Sequence, residues 1–196
     1  LTTISFGIYS GPLENVRPVG RLARVLGLGG PFDKREEPLG LDAARLQAGI
    51  DFAAQREPAI ADALARTGYP EPRIRETGYR TLLRTIVGQQ VSVAAAASVW
   101  NRLEARFGPA LPPADLLAAD FDILRSCGLS RQKQSYARSL CELVAGGVLD
   151  LAHLPTDDEA AIAELTQIKG IGRWSAEIYL LFAEGRADIW PAGDLG

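Results

Sequence analysis

A chain of 196 residues is long enough for one ordinary domain, or for a domain with a small appendage. Its 24 acidic and 21 basic side chains leave it mildly acidic, which counts against a uniformly basic nucleic-acid binder and requires any such role to come from a local patch. No run of about eighteen apolar residues could span a membrane, and two cysteines, Cys127 and Cys141, are too few for a disulfide framework or a four-cysteine metal site.

Residues 1–40 show little regular pattern. Ile4, Phe6 and Ile8 alternate as a short strand would, but Gly11-Pro12, Gly29-Gly30-Pro31 and the charged residues 33–37 interrupt anything longer. This segment is expected to be an irregular tail or the remnant of another domain. It lacks a basic stretch followed by an apolar core, which argues against secretion, and the low cysteine content agrees with a reduced, cytoplasmic compartment. Methionine is absent even at position 1, so the expectation is a fragment or processed product.

From residue 41 the texture changes to Ala, Leu, Arg and Gln, which favours helix. Residues 42–65 read as one or two helices interrupted near Glu57-Pro58. Leu82, Leu83, Ile86 and Val87 recur at helical spacing, and a further helix over residues 92–107 would place Ala95, Val99, Leu103 and Phe107 on one stripe. Gly88-Gln89-Gln90-Val91 forms the corner between them. After Gly108-Pro109, short helices are predicted over 115–119 and 122–127, with Gly128 as a C-terminal cap. Ser130 would cap a helix over 131–144, ended by Gly146-Gly147. Thr156, with Glu159 three residues on, has the form of a capping box for the next helix. Arg125, Arg131, Lys133 and Arg138 fall close together without an acid among them, a candidate basic patch or a solvated helix face. His153 sits in a loop-like segment and gives no metal site on its own. Every strong element from 41 to 196 is helical, so the predicted fold is all-α.

The most informative stretch is residues 165–196. An apolar helical segment runs into Gly170-Ile171-Gly172, and a second apolar helix follows over residues 173–182. Glycines allow a sharp turn that presents its N–H groups to a close partner. Where such a turn opens a helix, the free amides and the positive end of the dipole form a seat for an anion, most often phosphate. The alternative is an ordinary turn between packed helices.

Three linked motifs give this chain a resemblance to the helix-hairpin-helix superfamily of DNA glycosylases, in its bacterial 3-methyladenine DNA glycosylase II branch. Residues 165–176 carry the hairpin form L-x-x-I-x-G-I-G-x-W-[ST]-A. Asp188-Ile189-Trp190-Pro191 leads into Gly193-Asp194-Leu195-Gly196, where that family keeps its catalytic aspartate. Ile86-Val87-Gly88-Gln89-Gln90-Val91-Ser92 matches the segment that members insert into DNA, and residues 124–133 are also similar. The resemblance covers about residues 44–196 and implies a helical glycosylase domain over 41–196, ending shortly after Asp194 where the family's domain continues.

The resemblance implies double-stranded DNA containing alkylated bases as the partner, no cofactor and a monomer. Asp194 would be catalytic, stabilising the positive charge that builds on deoxyribose as the base leaves and orienting or deprotonating water. Gln90 would fill the space vacated by a flipped base, with Gln89 a weaker candidate on the same surface. Trp174, and less strongly Trp190, would form an aromatic base pocket, since an indole attracts a cationic alkylpurine by roughly 0.5–2 kcal/mol. Where some relatives stack a tyrosine four residues later, this chain has Ile178. The amides of Gly170, Gly172 and Ser175 would bind DNA phosphate, and main-chain carbonyls of Thr166, Ile168 and Ile171 would hold a structural Na+ or K+. Trp174 occupies the position where relatives that also cut the strand carry a lysine, which implies base release by water alone. Nothing supplies the four cysteines of the iron–sulfur cluster some relatives carry after the aspartate. The other readings are a non-catalytic helix-hairpin-helix module that binds DNA, and a glycosylase for another damaged base.

Overall fold

The computed structural model describes residues 42–193, and all regular structure among the described residues is helical. The tail proposed for residues 1–40 and the catalytic candidate Asp194 lie outside the described residues. The helices are α1 (Ala43–Ala54), α2 (Pro58–Thr67), α3 (Tyr79–Gly88), α4 (Val93–Phe107), α5 (Pro113–Ala118), α6 (Phe121–Ser126), α7 (Arg131–Ala145), α8 (Asp158–Leu165) and α9 (Arg173–Phe182).

Proline at its first position opens α2, where the missing N–H is not needed. Asp42, Ser92, Asp120 and Ser130 cap α1, α4, α6 and α7 by accepting a backbone N–H three residues on. The expected capping box at α8 is not the one formed. Asp157, not Thr156, is the cap and accepts the Ala160 amide at 2.9 Å, because a carboxylate one residue later offers the stronger acceptor. Glu159 is thereby released for another partner.

The core gathers around α7, which packs against α3, α5 and α6, while α9 rests on α3 and α8. Leu82, Leu83, Ile86 and Val87 of α3 are buried together, as their spacing predicts. Of the predicted stripe of α4, Leu103 is buried and Val99 and Phe107 are partly buried against the core. Ala95 is exposed, and Trp100 and Leu103 carry the burial, because the Trp100 indole fills the interior and donates Nε1–H to Glu104 at 2.8 Å. Cys127 and Cys141 are buried free thiols, and the Cys141 Sγ lies 3.4 Å from the Tyr79 hydroxyl. Burial pushes both the Cys141 thiol and the Tyr79 phenol up, so neither ionises near neutrality. The longest described helices have 15 residues, too short and too polar to cross a membrane.

Candidate nucleic-acid interface and active site

The turn between α8 and α9 is fixed from several sides. Gly170 has φ of +82°, and a Cβ built there would sit 2.5 Å from Cγ of Tyr136 and closer still to two other ring carbons. Only glycine meets both demands. The Lys169 amide donates to Ser139 Oγ at 3.1 Å and the Ile171 amide to the Ile168 carbonyl at 3.0 Å, while Ile168 and Ile171 are buried below. Gly172 differs, because a Cβ there would meet nothing within 4 Å.

Gly172 is the N-cap of α9 and has no side chain with which to accept an amide. The first N–H groups of a helix lack intrahelical partners, so those of Arg173, Trp174 and Ser175 stay open. Among the described residues the Gly170 and Gly172 amides also have no protein acceptor. The predicted donors Gly170, Gly172 and Ser175 therefore lie on one short run of unsatisfied N–H groups at the positive end of α9, an arrangement suited to an anion. Arg173, which flanks the glycines in sequence, does not add its charge to this seat. Its guanidinium forms a two-pronged pair with Glu159 and also reaches Glu177 at 2.9 Å. The paired carboxylate keeps Arg173 charged, and in return Arg173 holds the Glu159 carboxyl below its ordinary range.

Across from the hairpin, α3 ends at Gly88 and the chain turns through Gln89 and Gln90 into α4. Gln90 is exposed and takes a left-handed conformation, φ +53°. Gln89 is half-buried, and its Nε2 donates to the Gly170 carbonyl at 2.7 Å. The wedge candidate and the hairpin are thus neighbours, but the two glutamines have different surroundings. Lys133 donates from Nζ to the Val87 carbonyl at 2.7 Å, and a cation at the C-terminal end of α3 is the favourable sign. Burial lowers the Lys133 pKa.

Two members of the predicted basic patch, Lys133 and Arg138, are anchored by such internal bonds. Arg138 donates to the Leu117 and Ala119 carbonyls, Arg131 lies 4.9 Å above the Phe121 ring, and Arg125 is exposed. Arg131 and Arg138, with Phe121, Gln134, Glu142 and Lys169, border a shallow concavity of about 290 Å³ on the α7 flank. Its lining includes none of Trp174, Trp190 or Gln90, so the concavity is separate from the predicted base pocket.

Trp174 stands in the first turn of α9 with 44% of its surface exposed, and Trp190 is 80% exposed in the loop beyond. Both indoles are more open than core packing would leave them, whereas Tyr179 is buried and its hydroxyl accepts the Gly78 amide at 2.6 Å. Ile178 is partly buried on the same helix. The loop carrying Trp190 is anchored by a residue that sequence reasoning missed. Arg186, 3% exposed, donates to Glu184 at 2.8 Å, to Asp158 at 3.1 Å and to the Pro155 carbonyl at 2.7 Å. Its buried guanidinium ties the segment after α9 to the start of α8. A lone arginine between small and acidic residues gives no sequence signal of burial.

The carbonyls of Thr166 and Ile171 accept no backbone N–H among the described residues, and the Ile168 carbonyl keeps a second lone pair beside its turn bond. Carbonyl oxygens are the donor type that replaces hydration water around a monovalent cation. No group of three or more His, Cys, Asp or Glu side chains suited to a metal ion occurs among the described residues.

Residues 83–196 match the profile of the HhH-GPD superfamily base excision DNA repair proteins. DNA-3-methyladenine glycosylase 1 of Schizosaccharomyces pombe is 36% identical over 126 residues, covering 60% of this chain and 53% of that protein. DNA-3-methyladenine glycosylase 2 of Escherichia coli is 30% identical over 158 residues, covering 73% of this chain and 56% of that protein. The chain spans about half the length of the curated relatives it matches. The structure of the S. pombe 3-methyladenine DNA glycosylase in complex with abasic DNA superposes with a TM-score of 0.63 at 31% identity, covering 74% of each chain.

Proposed function

Since the chain belongs to the HhH-GPD superfamily of base excision DNA repair proteins, we propose that it releases alkylated purines of the 3-methyladenine and 7-methylguanine type from double-stranded DNA by hydrolysis of the N-glycosidic bond. The observation that carries this reading is the placement of open backbone N–H groups at Gly170, Gly172 and the first turn of α9 beside the exposed Gln90 corner, with the half-exposed Trp174 in that same turn.

The amides and the α9 dipole take one DNA phosphate without reading sequence. Gln90 enters the stack as the damaged nucleotide leaves it, and can hydrogen-bond the orphaned partner base. Trp174 receives the flipped base against its ring face, with Trp190 as a second aromatic wall. A cationic alkylpurine is attracted by the indole and is already a good leaving group, so few hydrogen bonds are needed and several alkylated bases are accepted. Asp194 stabilises the developing oxocarbenium charge and orients or deprotonates the attacking water. Trp174 has no amine to attack the sugar, so the product is an unbroken strand with an abasic site. A Na+ or K+ held by the Thr166, Ile168 and Ile171 carbonyls would add positive charge near the phosphate seat. The protein acts as a monomer, in the bacterial cytoplasm at the nucleoid.

The test is single-turnover incubation with duplex DNA carrying one 3-methyladenine or 7-methylguanine. The expected result is free base with an alkali-labile, unnicked strand. Duplex binding without any released base would replace this reading with a non-catalytic DNA-binding module, and a nicked strand would exclude the monofunctional reaction.

A further inference from the structure

We propose that Gln89 is a positioning residue that latches the wedge corner to the hairpin, so that the element seated on DNA phosphate also holds Gln90 ready for insertion. This inference rests on the base-excision reading above. The Gln89 Nε2 donates to the Gly170 carbonyl at 2.7 Å across 81 positions of sequence. That carbonyl belongs to the peptide group whose N–H, on Ile171, donates to Ile168 at 3.0 Å, so its plane is fixed and its oxygen polarised. The φ of Gly170 and the Tyr136 ring packed on it leave the acceptor no room to drift.

At the other end of the bond, the corner needs holding. Gln90 at φ +53° is in a region that a non-glycine residue occupies only when its surroundings impose it. Several bonds do so here, the Gln89 amide to the Ile86 carbonyl at 3.3 Å among them. Lys133 fixes the Val87 carbonyl at 2.7 Å, the Ser92 side chain accepts the Ala95 amide at 3.2 Å, and Gln89 ties the corner itself to the hairpin. Lys133 and Ser92 hold the helix ends; of these bonds, that of the Gln89 side chain is the one that reaches the phosphate seat. One of its two amide N–H groups is held by that carbonyl, which gives Gln89 a role distinct from the DNA contact expected from its exposed neighbour. Without the latch, the corner would have to be ordered anew at each insertion, and prior ordering of a reacting group is a direct contribution to rate.

The test uses the full chain and three variants. Gln89→Met keeps length and volume but has no donor. It should lower the single-turnover rate of base release about three- to tenfold, the effect of one net hydrogen bond, with affinity for undamaged duplex changed less than about twofold. Combined with Gln90→Ala, it should add nothing to the loss caused by Gln90→Ala alone, because a latch acts only through the wedge. Gln89→Glu can donate only while its carboxyl is protonated, so its rate relative to the parent should rise as pH falls toward about 5. Multiplicative losses in the double variant, or equal weakening of intact-duplex binding by Gln89→Met, would make Gln89 an ordinary DNA contact and overturn the proposal. An unchanged rate in Gln89→Met would do the same. If the parent chain releases no base, the base-excision reading fails, and amide hydrogen exchange without DNA still tests the latch. Faster exchange at the bonded amides of Gln89 and Ile171 in Gln89→Met supports it, and unchanged exchange at both overturns it.

Discussion

Gly170→Ala and Gly172→Ala look equivalent in sequence and should behave oppositely. At Gly170 the new methyl meets two obstacles. A left-handed backbone costs an L residue about 1–2 kcal/mol, and φ there is +82°. The Cβ also falls 2.5 Å or less from three Tyr136 ring carbons, an overlap that requires the ring or the turn to move, at about 1–3 kcal/mol for overpacking. The sum, about 2–5 kcal/mol, corresponds to a fall in Tm of roughly 5–15 °C for a domain of this size. Gly172 has φ of −89° and open space around its Cβ position, so Gly172→Ala should shift Tm by no more than about 3 °C. Its methyl would instead stand where a phosphate approaches the open amides, and duplex affinity should fall about tenfold, a 1.4 kcal/mol effect. Thermal unfolding followed by circular dichroism, and fluorescence anisotropy with a labelled duplex, measure the two effects. Equal Tm for both variants would refute the assignment of Gly170 to structure and Gly172 to approach. Restoration of part of the Gly170→Ala loss by Tyr136→Leu would confirm the clash directly.

Three further outcomes follow from the same geometry. Arg186→Ala removes a buried guanidinium from Glu184 and the Pro155 carbonyl, and leaving buried partners without their charge should cost about 3–5 kcal/mol in urea unfolding; a cost below about 1 kcal/mol would show that the loop is held by other contacts. Trp174→Ala, at a side chain 44% exposed, should leave Tm within a few degrees while slowing release of a cationic alkylpurine by about 2- to 30-fold, the range of a cation–π contact; an equal slowing for an uncharged lesion would exclude that origin. Glu159 has its folded pKa held below the ordinary 4.5 by Arg173, so the pair's stabilisation is present above that value and lost as pH falls through the folded pKa. The Tm difference between the parent and Glu159→Gln should therefore shrink as the solution is acidified below 4.5 and through the folded pKa. Persistence of the difference there would contradict the pairing.

Much of this was legible in the chain because it is local. The helix over 173–182, the Ser130 cap of α7 and the corner at 88–91 follow from spacing, glycine and capping chemistry within a few residues. The predicted elements miss where a neighbouring or distant group decides. In α4 Val99, Leu103 and Phe107 face the core as their spacing predicts, but Ala95 is exposed and Trp100 adds to the burial. Thr156 and Asp157 both have capping side chains, and the carboxylate wins. In the basic cluster at 125–138, the bonds of Lys133 and Arg138 to carbonyls of other segments are likewise invisible in the sequence. Arg186, and the bond from Gln89 to Gly170, join segments far apart in sequence, so no periodicity or motif reports them. The open amides of the hairpin were anticipated from the glycines, but the unequal demands on Gly170 and Gly172 arise from Tyr136, more than thirty positions upstream.

The most direct test of the central claim is base release by this chain compared with its Asp194→Asn variant, on the same alkylated duplex and with binding to that duplex measured in parallel. The parent should liberate 3-methyladenine or 7-methylguanine and leave unnicked abasic sites, and the variant should bind equally well but release no base above the spontaneous rate. Equal release by both proteins, or binding lost together with release in the variant, would contradict the role of Asp194 and the hydrolytic mechanism built on it.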